Sequence, residues 1–106
     1  MAQTPEAKVK LSVTKILDEY NVYYFKPTTG GYGKSGVPDI VGCFNGKFIA
    51  IECKAQGGKA TALQLREIDR ILNNGGVALL INETNLDALR DILEVSHRAS
   101  SPQTKQ

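Results

Sequence analysis

The sequence predicts one α/β domain, a mixed sheet flanked by helices, and three observations carry that expectation. Asn45-Gly46 separates two strand-like runs, the strongest short-range hairpin signal. Val9, Val13, Ile16, Leu17 and Tyr20 recur at helical spacing, the stripe of a helix packed on an apolar surface. Val77 to Ile81 is a continuous apolar run reached across a helical segment, so it is expected as a strand buried on both faces and parallel to a neighbour. With 106 residues, 42% of them hydrophobic, the chain has material for one core. A domain over residues 1–95 and a flexible polar tail over 96–106 are expected.

Thr4-Pro5 starts the first helix, because threonine caps free amides and proline suits the first helical position; the helix should end near Tyr20. Val22-Tyr23-Tyr24-Phe25, β-branched and aromatic, reads as a short strand. Residues 26–36, KPTTGGYGKSG, contain four glycines and almost nothing apolar, so they read as a mobile loop. Asp39 to Phe44 and Lys47 to Cys53 are the hairpin strands. A helix from about Thr61 to Asn74 should turn Leu65, Ile68, Ile71 and Leu72 inward and stop at Gly75-Gly76. After the apolar strand, a last helix capped by Thr84 carries Leu86, Leu89 and Leu93 on one side. The order is α-β-β-β-α-β-α, with no internal repeat.

Composition excludes more than it assigns. No apolar run approaches the roughly 20 residues of a membrane span, and the N-terminus lacks a secretory apolar core, so a cytoplasmic protein is expected. Cys43 and Cys53 should point to opposite sheet faces as buried free thiols, not pair. The net charge of +2 is too small to argue nucleic-acid binding by itself. Its distribution says more: through Lys59 there are eight lysines against five acids, whereas Glu83 to Glu94 carries four acids and one arginine. Gly33-Lys34-Ser35 matches the end of a phosphate-binding P-loop, but Thr28 stands where that motif needs glycine, and a strand follows where it needs a helix. The one histidine, His97, lies in the polar tail, so a histidine-based site has no material.

Counting outward from Asn45-Gly46 pairs Phe44 with Lys47, Cys43 with Phe48, Val41 with Ala50, and Asp39 with Glu52. Residues opposite on antiparallel strands have Cβ atoms about 4.5–5.5 Å apart, and like charges there destabilise the sheet. A divalent cation offsets such repulsion, since Mg²⁺ is commonly held by one or two carboxylates and retained waters. Lys54, two residues beyond Glu52, projects from the same face. Solvated strand ends, with Lys54 neutralising one acid, are the competing reading of this spacing. Glu6 shares the buried face of the first helix, where a carboxylate needs a partner, although an acid in a first turn is also favoured by the helix dipole. Gln64 likewise precedes Ile68 and Ile71 on an apolar face, or stands solvated in its first turn.

Gly36-Val37-Pro38-Asp39 followed by Ile51-Glu52-Cys53-Lys54 resembles the split motif of the PD-(D/E)XK nuclease superfamily, with Glu at the second acidic position. The glycine two before Pro-Asp, the upstream helical glutamate and the downstream glutamine resemble the virus-type replication-repair nuclease (VRR-NUC) family, itself similar to small Holliday junction resolvases. The similarity spans Glu6 to Ile81. It implies a restriction-endonuclease-like αβββαβ core and Mg²⁺ or Mn²⁺ held by Asp39, Glu52 and the backbone carbonyl of Cys53. Lys54 would orient or activate the attacking water, and Glu6 and Gln64 would match the family's helical glutamate and downstream glutamine. It implies further a homodimer cutting branched DNA such as Holliday junctions, in a bacterial or phage-infected cell. Lys26, Lys34 and Ser35 are the expected DNA contacts, because a glycine-rich loop lets a lysine approach phosphate closely. Two alternatives stay open: a binding module without catalysis, using Lys8, Lys15, Lys26 and Lys34, and a restriction-type or RNA-directed nuclease on the same fold.

Overall fold

Thr4 caps the first helix, α1 (Pro5–Glu19): its hydroxyl accepts from the Ala7 N–H at 3.1 Å, and Pro5 begins the helix. In the computed structural model, which describes residues 3–28 and 35–99, α1 is followed by β1 (Tyr23–Phe25), β2 (Ile40–Phe44), β3 (Lys47–Cys53), α2 (Ala62–Asn73), β4 (Val77–Ile81) and α3 (Leu86–Ala99). This is the expected order, an α/β fold with a four-stranded mixed sheet flanked by helices, consistent with a restriction-endonuclease-like fold.

The sheet runs β1-β2-β3-β4, antiparallel except for the parallel pair β3 and β4. Asn45 (φ 52°) and Gly46 (φ 83°) both take the left-handed conformation of a two-residue hairpin turn. The β2–β3 register is the one counted from it, Phe44 with Lys47 through Val41 with Ala50.

That register sorts the side chains. Ile40, Ile49, Ile51, Cys53 and Ile81 face one way and form the core with Val9, Val13, Ile16 and Leu17 of α1 and Leu89 and Leu93 of α3. Arg90 pairs with Glu19 at 2.8 Å, and the Tyr20 hydroxyl donates to Glu94 at 2.5 Å, joining α3 to the end of α1. The other face carries Val41, Ala50 and Glu52 and is covered by α2, which packs on β3 and β4.

Several expectations need correction. β2 begins at Ile40, because the Asp39 carboxylate takes the Cys53 N–H that a ladder bond would otherwise use. Leu65 and Leu72 are nearly half exposed, with Ile68 and Ile71 half-buried, because α2 turns the stripe Gln64, Glu67, Ile68 and Ile71 to the sheet. β4 is an edge strand and Leu80 is exposed, so the run is not buried on both faces. The last helix begins at Leu86, after a turn in which the Thr84 N–H and hydroxyl both donate to Asn82 Oδ1, so Thr84 is no cap. The helix runs through Ala99, and residues 100–106 of the expected tail lie outside the described residues. Cys43 is exposed and Cys53 buried; both are free and on opposite faces.

Candidate active site

The site lies where β2 begins and β3 ends, and its geometry starts from the backbone. Pro38 is buried and Asp39 stands just before the ladder. Gly36, at φ 78°, passes so close to α2 that a Cβ there would lie 2.7 Å from the Leu63 carbonyl oxygen. Gly36 therefore joins the segment leading to Asp39 to the first turn of α2, a contact that both the positive φ and the absent side chain permit.

Asp39 Oδ2 accepts from the Cys53 N–H at 2.8 Å, which fixes the carboxylate against the end of β3. Its other oxygen, Oδ1, lies 3.5 Å from the Lys10 ammonium. Glu52 is 1% exposed. Its Oε2 accepts from Gln64 Nε2 at 2.9 Å and lies 3.5 Å from Lys54 Nζ. Glu52 Oε1 is buried and has no hydrogen-bond partner among the described residues. Burial first, and then the negative charge of Asp39, push the Glu52 carboxyl up to about 7, against the opposing pull of Lys54.

Gln64 reaches Glu52 because a capping box orients it. The Thr61 hydroxyl accepts from the Gln64 N–H at 3.1 Å, and Gln64 Oε1 accepts from the Thr61 N–H at 2.8 Å, which leaves Nε2 for the carboxylate. Lys54 is held by its own backbone, whose N–H donates to the Ile81 carbonyl at 2.9 Å and carries the β3–β4 ladder past Cys53.

Of the residues expected here, Asp39, Glu52, Lys54 and Gln64 are brought together. Cys53 contributes its backbone; its thiol lies in the core, where burial and the neighbouring carboxylates push it up to about 12. Glu6, half-buried in the first turn of α1, stands near enough to add slightly to that shift. Lys26 and Ser35 are exposed on either side of residues 29–34, which include Lys34 and lie outside the described residues. Sequence reasoning missed Lys10 and Thr61. The Thr61-x-x-Gln64 spacing signals a capping box, and Lys10 follows Glu6 by four residues on one helix face.

The donors suit a divalent cation. Two carboxylates converge, one with a buried oxygen that has no hydrogen-bond partner among the described residues, an arrangement costly until a positive charge or donor meets it. Among the described residues no group of three or more His, Cys, Asp or Glu side chains gathers as a cage. Mg²⁺ needs no such cage, being commonly held by one or two carboxylates with water elsewhere.

The chain matches a protein family described as "Archaeal holliday junction resolvase (hjc)" over residues 13–80, which include Asp39, Glu52, Lys54 and Gln64 but neither Glu6 nor Lys10. It is also similar to "Putative nuclease p44" of Acyrthosiphon pisum secondary endosymbiont phage 1, at 41% identity over 58 residues covering 54% of this chain and 62% of that protein. Among the described residues, no helix is long and apolar enough to cross a membrane.

Proposed function

This chain belongs to the archaeal Holliday junction resolvase family, and from that premise we propose that it is a divalent-metal-dependent endonuclease that hydrolyses phosphodiester bonds of branched DNA. The observation that carries this reading is Glu52: a buried carboxylate with one oxygen held by Gln64 and Lys54, the other without a hydrogen-bond partner among the described residues, beside Asp39. Residues arranged so are expected at a site built to hold a cation, whereas a solvated ion pair has no reason to bury one partner.

In this reading Asp39, Glu52 and the Cys53 carbonyl hold Mg²⁺ or Mn²⁺. The cation supplies Lewis-acid stabilisation of the phosphodiester and makes water a stronger nucleophile near neutral pH. The residues of the chain do the rest. Cys53 N–H and Gln64 Nε2 hold one oxygen of each carboxylate in place, so their other oxygens need little reorganisation. Lys54 orients the attacking water for in-line approach and faces the charge that develops on the phosphoryl oxygens. Glu6, in the first turn of α1, helps to position that water in this reading. Lys26, Lys34 and Ser35 grip the phosphate backbone without reading sequence.

The finer likeness to virus-type replication-repair nucleases rests on Glu6, the Gly36-Val37-Pro38-Asp39 segment and Gln64. A cytoplasmic homodimer is part of the proposal. Tyr23 and Phe25 on β1, and Leu65 and Leu72 on α2, are exposed apolar side chains of the kind an interface covers. Two copies would bring two sites to two of the strands of a junction.

The test incubates purified protein with a labelled four-way junction, the corresponding linear duplex and an RNA hairpin, with and without Mg²⁺ or Mn²⁺. Junction cleavage only with the cation supports the reading. Cation-dependent cutting of duplex or RNA alone would reassign the substrate, and binding without cleavage would make the chain a non-catalytic module.

A further inference from the structure

The two carboxylates of the site are not equally free. Each has one oxygen held by the chain, Asp39 Oδ2 by the Cys53 N–H and Glu52 Oε2 by Gln64 and Lys54. Their remaining oxygens differ: Glu52 Oε1 has no hydrogen-bond partner among the described residues, whereas Asp39 Oδ1 faces Lys10 Nζ at 3.5 Å. Lys10 belongs to α1, on the other side of the sheet from α2, and lies outside the stretch matched by the family. Its side chain is 35% exposed, so its ammonium has water to move into and a four-carbon stem to move on.

We propose that Lys10 is a built-in cation surrogate. It neutralises the outward oxygen of Asp39 when no divalent cation is bound, competes with that cation for the oxygen, and gives it up when the cation enters. The inference rests on the divalent-cation reading above and adds a positioning residue that sets the affinity of the site. A positive charge a few ångströms from a ligand oxygen repels a divalent ion, and partial burial limits its screening by salt. An ammonium displaced from Asp39 remains tethered near the phosphodiester, where a cation is favoured. Lys10 therefore opposes cation binding without being adverse to the reaction.

The experiment measures Mn²⁺ affinity calorimetrically, without DNA, for the full chain and for Lys10→Gln, Lys10→Arg and Lys8→Gln. Lys8 is an exposed lysine of the same helix and serves as the control for net charge. Lys10→Gln is expected to bind Mn²⁺ about tenfold more tightly than the parent chain, with Lys10→Arg and Lys8→Gln close to the parent. A second readout is thermal unfolding: Mn²⁺ should raise the midpoint more for Lys10→Gln than for the parent chain. A lysine that merely anchors α1 would leave affinity unchanged or lower it on substitution, and either result would overturn the inference while leaving the cation site intact. Equal tightening by Lys8→Gln would also overturn it, by reducing the effect to net charge. Absence of Mn²⁺ binding in every variant would remove both the inference and the functional reading beneath it.

Discussion

The side-chain amide of Gln64 donates to Glu52 Oε2 at 2.9 Å while its own oxygen accepts from the Thr61 N–H at 2.8 Å, so one residue both caps α2 and orients a buried acid. The start of the helix and the shape of the site are thus coupled. Loss of either bond should be felt by the other.

Gln64→Ala removes a donor from a buried carboxylate and half of a capping box, so it should cost about 1–3 kcal/mol. Thr61→Ala, which removes only the hydroxyl cap, should cost about 1 kcal/mol. Chemical denaturation orders the two. Cleavage should fall further for Gln64→Ala, since only that change also frees Glu52 to rotate. Equal stability losses with unchanged cleavage would reduce Gln64 to a cap.

The buried carboxyl makes stability depend on pH in a stated direction. Glu52 ionises near its ordinary 4.5 in the unfolded chain and near about 7 in the folded one. Between those values the unfolded chain has lost a proton that the folded chain still holds. Stability without divalent cations should therefore fall as pH rises through this window, by about 3 kcal/mol in all, and show no further loss from this group above it. Glu52→Gln should flatten the slope and be the more stable form at pH 8. Mg²⁺ should restore stability to the parent chain most strongly at that pH, because it favours the ionised acid. Urea titrations from pH 4.5 to 8, with and without Mg²⁺, read all of this.

Gly36 and Gly46 share a positive φ but not their surroundings. A side chain at Gly46 meets nothing within 4 Å, so Gly46→Ala should cost about 1–2 kcal/mol, the strain of the conformation alone. At Gly36 a Cβ would meet the Leu63 carbonyl at 2.7 Å. Gly36→Ala should add a further 1–3 kcal/mol or so of overpacking and draw Gln64 away from Glu52. Comparable losses at the two positions would contradict the close approach.

The hairpin register was legible because side chains alternate with period two and Asn45-Gly46 leaves little freedom in the turn. The same count put Asp39 opposite Glu52, and the structure keeps them close enough for one charge to raise the pKa of the other. It did not reveal that the ladder stops at Ile40, since a carboxylate replacing a backbone acceptor leaves no periodic trace. The phase of α2 was misread for a related reason. Leu65 and Leu72 look like core, yet Gln64 and Glu67 hold the inward positions. Lys10 shares a helix face with Glu6 in the sequence, but its place beside Asp39 depends on how α1 packs across the sheet.

Tyr23 and Phe25 on β1 and Leu65 and Leu72 on α2 are two groups of exposed apolar side chains, and substitution separates them as candidate dimer contacts. Paired changes Tyr23→Glu with Phe25→Glu, and Leu65→Glu with Leu72→Glu, test β1 and α2 in turn. Light scattering should give twice the chain mass for the parent protein and the single mass for the pair that lies in the interface. A strictly monomeric parent, free and with a junction bound, would refute the dimer.

In the proposed reaction Asp39, Glu52 and Lys54 act as one unit on a phosphodiester. Single-turnover cleavage of a labelled four-way junction in saturating Mg²⁺ measures this for the parent chain and for Asp39→Asn, Glu52→Gln and Lys54→Ala, each first shown to be folded. The predicted result is a loss of at least about a hundredfold in each variant, with junction binding retained, because each substitution removes part of one arrangement. Parental cleavage rates in any of the three would contradict it.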